Sequence, residues 1–118
     1  MNIRVKRVYE PAEASDGKRV LVDRLWPRGL SKEQAALDCW MKDIAPSAAL
    51  RNWFGHVPER FGEFRRKYEE ELGRPEAQAL AERLRRWSAE VGVTLLYGAK
   101  DERHNQAVVL RHWLERPQ

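Results

Sequence analysis

Two compact apolar runs constrain this chain more than any other feature: Val20-Leu21-Val22 and, far downstream, Val93-Thr94-Leu95-Leu96-Tyr97. A strand with one solvated face alternates apolar and polar side chains. A strand that is apolar throughout must be covered on both faces, as the inner strands of a parallel sheet are. Parallel neighbours cannot be joined by tight turns and need crossovers, which are usually helical. The sequence between the two runs supplies them. Val57, Phe61, Phe64, Tyr68 and Leu72 share one helical face, with Pro58 in the first turn. After Gly73-Arg74-Pro75, the residues Ala77, Leu80, Leu84, Trp87 and Val91 repeat the pattern. This predicts an αα-hairpin over about 58–91 that covers the sheet.

The remaining segments fit around that frame. Ile3, Val5 and Val8 alternate with Arg4, Lys6 and Arg7 and predict a first strand. Ser15-Asp16-Gly17 reads as a turn into a second strand over Lys18–Trp26, which Pro27 and Gly29 stop. Ser31 caps a short helical turn through Ala36. Leu37, Cys39 and Met41 alternate and predict a third strand within 37–44. Ser47 is placed to cap a helix through Phe54. Gly92 ends the hairpin, Gly98-Ala99-Lys100-Asp101 is a loop, and a last helix runs from about Arg103 to Leu114. The order predicts a single α/β domain over 1–118: a small, mostly parallel central sheet flanked by helices, with the second and last strands at its centre.

Composition narrows the function classes. A chain of 118 residues with 42% hydrophobic content can bury one core. The lone Cys39 excludes an intrachain disulfide framework and a multi-thiolate zinc site. The longest apolar runs fall far short of the roughly 20 residues that span a bilayer, and no leader pattern is visible. A cytoplasmic, bacterial protein without membrane contact is expected. The net charge of +4 allows an anionic partner without requiring one. Arg and Lys are spread along the chain and form no basic arm.

In an open α/β sheet, ligands sit beyond the C-terminal ends of central strands. Two segments qualify: Asp23-Arg24-Leu25-Trp26-Pro27-Arg28-Gly29, and Tyr97-Gly98-Ala99-Lys100-Asp101 leading through His104-Asn105. Arg24, Arg28 and Lys100 can hold an anion, the arginines through their planar forks. Gly29 lets backbone N–H groups approach a ligand. Tyr97 and Asn105 supply hydrogen bonds, and Trp26 an aromatic surface. Asp23 or Asp101 can orient the arginines or act as base. The plainer readings stand beside these. Asp23 and Arg24 equally fit a structural ion pair, Trp26 fits packing at the core or rim, and Asp101 fits a cap for the last helix. His56, His104, His112 and Cys39 complete no metal or nucleophile pattern, and nucleotide and hydrolase signatures are absent.

Several segments in order carry a resemblance: Lys6-Arg7-Val8-Tyr9, Asp16-Gly17, Val20 through Gly29 (VLVDRLWPRG), Ala45-Pro46-Ser47, Leu50-Arg51, Trp53-Phe54 and His56. Thr94-Leu95-Leu96-Tyr97, Ala99-Lys100-Asp101 and His104-Asn105 follow. The chain resembles, over its full length, the bacterial family named domain of unknown function 488, in its YeaO-like branch. The resemblance implies a compact α/β fold and places recurring polar residues in the two strand-end segments. The family's other branch is similar but carries a cysteine where Tyr97 stands and Cys-His-Arg where Asn105-Gln106-Ala107 stand. Thiol chemistry at those places cannot be carried onto this chain. The leading expectation is a domain, possessing no cofactor, that binds an anionic small molecule such as a phosphorylated metabolite or nucleotide. If it is an enzyme, acid–base or transfer chemistry suits these side chains. A protein-interaction module exposing Trp53-Phe54 or Trp113 is one alternative, and a nucleic-acid-associated regulator with a continuous basic face is another.

Overall fold

The computed structural model describes residues 2–117. Strands β1 (Ile3–Arg7), β2 (Lys18–Leu21), β3 (Cys39–Trp40) and β4 (Val93–Tyr97) form one sheet in the order β1-β4-β2-β3. Every pairing is parallel, so the fold is α/β with a wholly parallel four-stranded sheet. The two apolar runs occupy the two inner positions. Helices α1 (Lys32–Ala35), α2 (Ala48–Phe54), α3 (Phe61–Leu72), α4 (Pro75–Glu90) and α5 (Gln106–Glu115) flank the sheet, with short 3-10 turns at Ala14–Asp16, Lys42–Ile44 and Pro58–Arg60.

Side-chain alternation along the inner strands explains why both faces are covered. Val20, Val22, Val93, Leu95 and Tyr97 enter the larger core, with Phe54, Phe64, Tyr68, Leu84 and Leu110 from the helices. Leu21 and Leu96 point the other way, into a smaller core with Val8 and Ala35 of α1, against which Trp26, Leu30 and Leu37 pack. That second face is polar at its N-terminal end. Asp16, only 2% exposed, accepts from Arg19 Nη1 at 2.6 Å and from Lys6 Nζ at 3.2 Å. Its backbone oxygen accepts from Thr94 Oγ1 at 2.8 Å. Arg19 spends its other donors on the Ala35 and Ala36 carbonyls. One carboxylate residue thereby ties β1, β2 and β4 together. Burial pushes the Asp16 carboxyl up, but the Glu13 N–H, Arg19 and Lys6 outweigh it and leave it below the usual range.

The structure shortens several expected elements. β2 ends at Leu21, not Trp26. Val22 still donates to the Leu96 carbonyl at 3.0 Å, and then Asp23 turns its side chain to another task. The third strand keeps only Cys39–Trp40 of the expected 37–44. Its edge pairing is extended by Asp38 donating to Arg19 and Met41 to Leu21, before a 3-10 turn over Lys42–Ile44. Ser31 and Ser47 cap α1 and α2 as expected. The hairpin is α3 and α4, entered through a 3-10 turn at Pro58–Arg60. The last helix begins at Gln106, not Arg103, because Asn105 is its cap. No helix among the described residues is long and apolar enough to cross a membrane.

Candidate functional site

A cleft of about 900 Å³ opens beyond the C-terminal ends of β1, β4 and β2, where the topology places ligands. Its walls come from the end of β1 and the segment after it (Arg7, Tyr9), the segment after β2 (Asp23 to Arg28), the β4–α5 loop and first residue of α5 (Gly98 to Lys100, and His104 to Gln106), and α2 with its exit (Arg51, His56). Of the candidates read from sequence, Asp23, Arg24, Trp26, Arg28, Lys100 and Asn105 line it. Gly29, Tyr97 and Asp101 are not among its lining residues. Gly29 forms part of the turn at φ +69°, and Tyr97 is buried in the larger core. Burial, together with the charges of Glu102 and Glu10, pushes the Tyr97 phenol up.

Asp23 forms the floor. Its Oδ2 accepts from the Gly98 N–H at 2.9 Å, and its Oδ1 accepts from the Gln106 side-chain amide. Gly98 is required there by space: a Cβ on it would stand 2.9 Å from Asp23 Oδ2. Burial pushes the Asp23 carboxyl up to about 6, against the opposing pull of those two donors and of the charges on His56 and Arg51. No ion pair joins Asp23 to Arg24. The Arg24 guanidinium donates to Pro46 O at 2.9 Å and Ala45 O at 3.1 Å, so it anchors the entry to α2. Arg7 is similarly consumed, donating to Ala99 O at 2.9 Å and Gly98 O at 3.2 Å. These two arginines shape the cleft by gripping backbone carbonyls.

The other cations differ. Among the described residues, the side chains of Arg28, Arg51 and Lys100 line the cleft and have neither a hydrogen bond nor an ion pair. Only the Arg28 backbone is engaged, its carbonyl accepting from Tyr9 Oη at 2.8 Å. His104 adds an oriented imidazole, with Nδ1 2.8 Å from Asp101 Oδ2 and its ring edge-on to Phe61 at 5.1 Å. Asp101 also accepts from the N–H groups of Arg103 and His104. The Arg103 N–H and the His104 ring hold its carboxyl below the usual range. It therefore fastens the loop and aims the histidine, while capping of α5 falls to Asn105. Asn105 is 1% exposed and both its polar atoms are engaged: Oδ1 accepts from Val108 N and Nδ2 donates to Asp101 O.

Sequence reasoning missed Arg51, His56, His104 and Gln106 as members of one site. Phe54 stacks on Phe64 at 4.4 Å, and Arg51 lies one turn earlier on the same side of α2. That packing carries it to the cleft. His56 follows Gly55 in the left-handed region, at φ +58° after +54°, a conformation that local composition does not announce. Of the side chains that the interaction-module alternative needs exposed, Phe54 is not available. Phe54 is buried, and Trp53 and Trp113 are partly packed against the core. The large exposed apolar side chains among the described residues are Tyr9, Leu25, Trp40 and Val91.

The family model described as the inactive DUF488-N3 subclade matches residues 2–118. The chain is 48% identical over 114 residues to the uncharacterized protein YeaO of Escherichia coli, with 97% of each chain covered. It is 45% identical over 112 residues to the uncharacterized protein Rv3073c of Mycobacterium tuberculosis, covering 95% of this chain and 92% of that relative. No solved structure gives a significant match.

Proposed function

The chain belongs to the DUF488 family, and from that premise we propose that it binds an anionic small molecule in the strand-end cleft without turning it over. The observation that carries this reading is the contrast among the cleft's cations. Arg7 and Arg24 are each held by two backbone carbonyls, whereas the side chains of Arg28, Arg51 and Lys100 make no hydrogen bond or ion pair among the described residues. Cations gathered in a concave site without hydrogen-bond or ion-pair partners favour an anion there, with the arginines able to grip it bidentately. The start of α5 adds to the same field.

The absence of turnover is supported by the description of the matched subclade as inactive. It also agrees with the commitments of the carboxylates and of Asn105. Asp23 accepts two protein hydrogen bonds, and Asp101 and Asn105 spend theirs on the loop and on α5. In this reading they position the cleft walls.

The test is a thermal-shift panel of phosphorylated metabolites, nucleotides and carboxylates on the wild type, Arg51→Ala and Arg28→Ala. A ligand at about 100 times its Kd stabilises the fold by about 2.7 kcal/mol, a rise in Tm of roughly 10 °C for a chain of this size. The rise is expected to shrink in both variants, whose unliganded Tm should stay within a few degrees of the wild type because neither side chain makes a hydrogen bond or ion pair among the described residues. An undiminished rise in both variants would remove these arginines from the site.

A further inference from the structure

We propose that the cleft's ligand carries a flat unsaturated ring beside its anionic group, the chemistry of a nucleoside monophosphate, with the ring seated against Trp26, Tyr9 and Leu25. This rests on the anion reading above and narrows it. Three of the four large apolar side chains left exposed among the described residues gather at this one opening. Tyr9 (41% exposed) and Leu25 (58%) line the cleft, and Trp40 (38%) meets Trp26, another lining residue, edge-on at 5.4 Å. Single exposed apolar side chains need no explanation, but a contiguous set at the mouth of a cleft marks a binding surface.

The way these rings are held argues for a seat rather than loose side chains. Trp26 Nε1 donates to Leu30 O at 2.6 Å, and Trp40 Nε1 donates to Asp23 O at 2.7 Å. Tyr9 Oη donates to Arg28 O at 2.8 Å, with the Arg7 guanidinium 4.8 Å from its ring centroid. Every polar tip is satisfied by backbone, so the apolar ring surface is what remains to offer a ligand. Rings fixed in advance lose little freedom on binding. A bare phosphate or small carboxylate makes no use of such a surface. A cleft of about 900 Å³ also lies in the range that accepts a ligand of nucleotide size. Stacking on aromatic side chains is tolerant of base identity, because every base presents a π-face.

The experiment is calorimetric titration of the four ribonucleoside 5′-monophosphates, ribose 5-phosphate and the corresponding nucleosides. The proteins are the wild type, Trp26→Leu, Leu25→Ser and Arg51→Ala. At least one monophosphate is expected to bind about tenfold or more tighter than ribose 5-phosphate. Trp26→Leu should remove that advantage and leave ribose 5-phosphate affinity unchanged, whereas Arg51→Ala should weaken both. Because Trp26 also packs on the smaller core, Leu25→Ser is the companion variant at an exposed position, and it should reduce the advantage severalfold. Equal affinity for ribose 5-phosphate and every monophosphate overturns the ring seat and leaves the anion reading standing. A nucleoside that binds as tightly as its monophosphate overturns the anion reading and leaves the seat. Failure of all the phosphates to bind overturns both.

Discussion

Asp23 joins the stability of this protein to the charge of its cleft. Its carboxyl is raised from 3.8 to about 6, chiefly by burial. Between those two values the folded chain holds a proton that the unfolded chain has released. This group's contribution to stability is therefore most favourable below about pH 4, falls as pH rises through 6, and is a penalty above it. Asn at this position imitates the protonated carboxyl, with Oδ1 accepting from Gly98 and a turned Gln106 amide accepting from Nδ2. Asp23→Asn should be more stable than the wild type by about 3 kcal/mol at pH 8, a gap that narrows to about 1 kcal/mol at pH 4.5. Urea unfolding at both pH values checks this, and an equal gap at the two would show that Asp23 is not the titrating group. The importance of this residue was legible from its place after an apolar strand. Its partner was not: Asp23-Arg24 suggests an ion pair, but Arg24 reaches Pro46 and Ala45 instead. Sequence adjacency says nothing of which way consecutive side chains of a turn point.

Capping decides how the β4–α5 segment is built. From sequence Asp101 suits the cap of the last helix, which is expected to begin near Arg103. The structure divides the work, with Asp101 closing the loop onto Arg103 and His104 while Asn105 receives the Val108 N–H at 3.1 Å. Asn105→Ala should cost about 1–2 kcal/mol, seen as a drop in Tm of roughly 4–8 °C, because it removes both the cap and the bond to Asp101 O. Affinity for the cleft's ligand, measured well below that Tm, should stay within about twofold, since both polar atoms of Asn105 are used within the protein. Binding lost from a variant of unchanged Tm would instead make Asn105 a ligand contact. At this scale the long elements were the readable ones. The hairpin helices show many periods of apolar spacing, and the inner strands are apolar throughout. β3 was over-read because Leu37, Cys39 and Met41 alternate, yet only Cys39–Trp40 forms regular strand at the sheet edge.

For the whole molecule, the arrangement of charge separates a small-ligand cleft from a nucleic-acid surface. A net charge of +4 is compatible with either. Many cations are already engaged with aromatic rings on separate elements: Arg60 and Lys67 on Trp53, Lys18 and Arg83 on Trp87. The basic and aromatic interleaving visible in the sequence is thus dispersed around the fold, and no periodicity could have shown that. What the topology rule could show, and did, was the meeting of two strand ends, those of β2 and β4, at one opening; the end of β1 and α2 join them only in the folded chain, α2 through the Phe54–Phe64 stack. If Arg28, Arg51 and Lys100 are the phosphate-facing cations, a single-stranded oligonucleotide can displace counterions at only about three positions. The slope of log K against log salt is then about −2. Affinity at physiological salt should remain in the non-specific range, at roughly micromolar or weaker. Fluorescence titration of a labelled oligonucleotide over 50 to 300 mM salt measures both quantities. A slope steeper than about −5 would require a continuous basic face extending well beyond the cleft, and would favour the nucleic-acid reading over the small-molecule one.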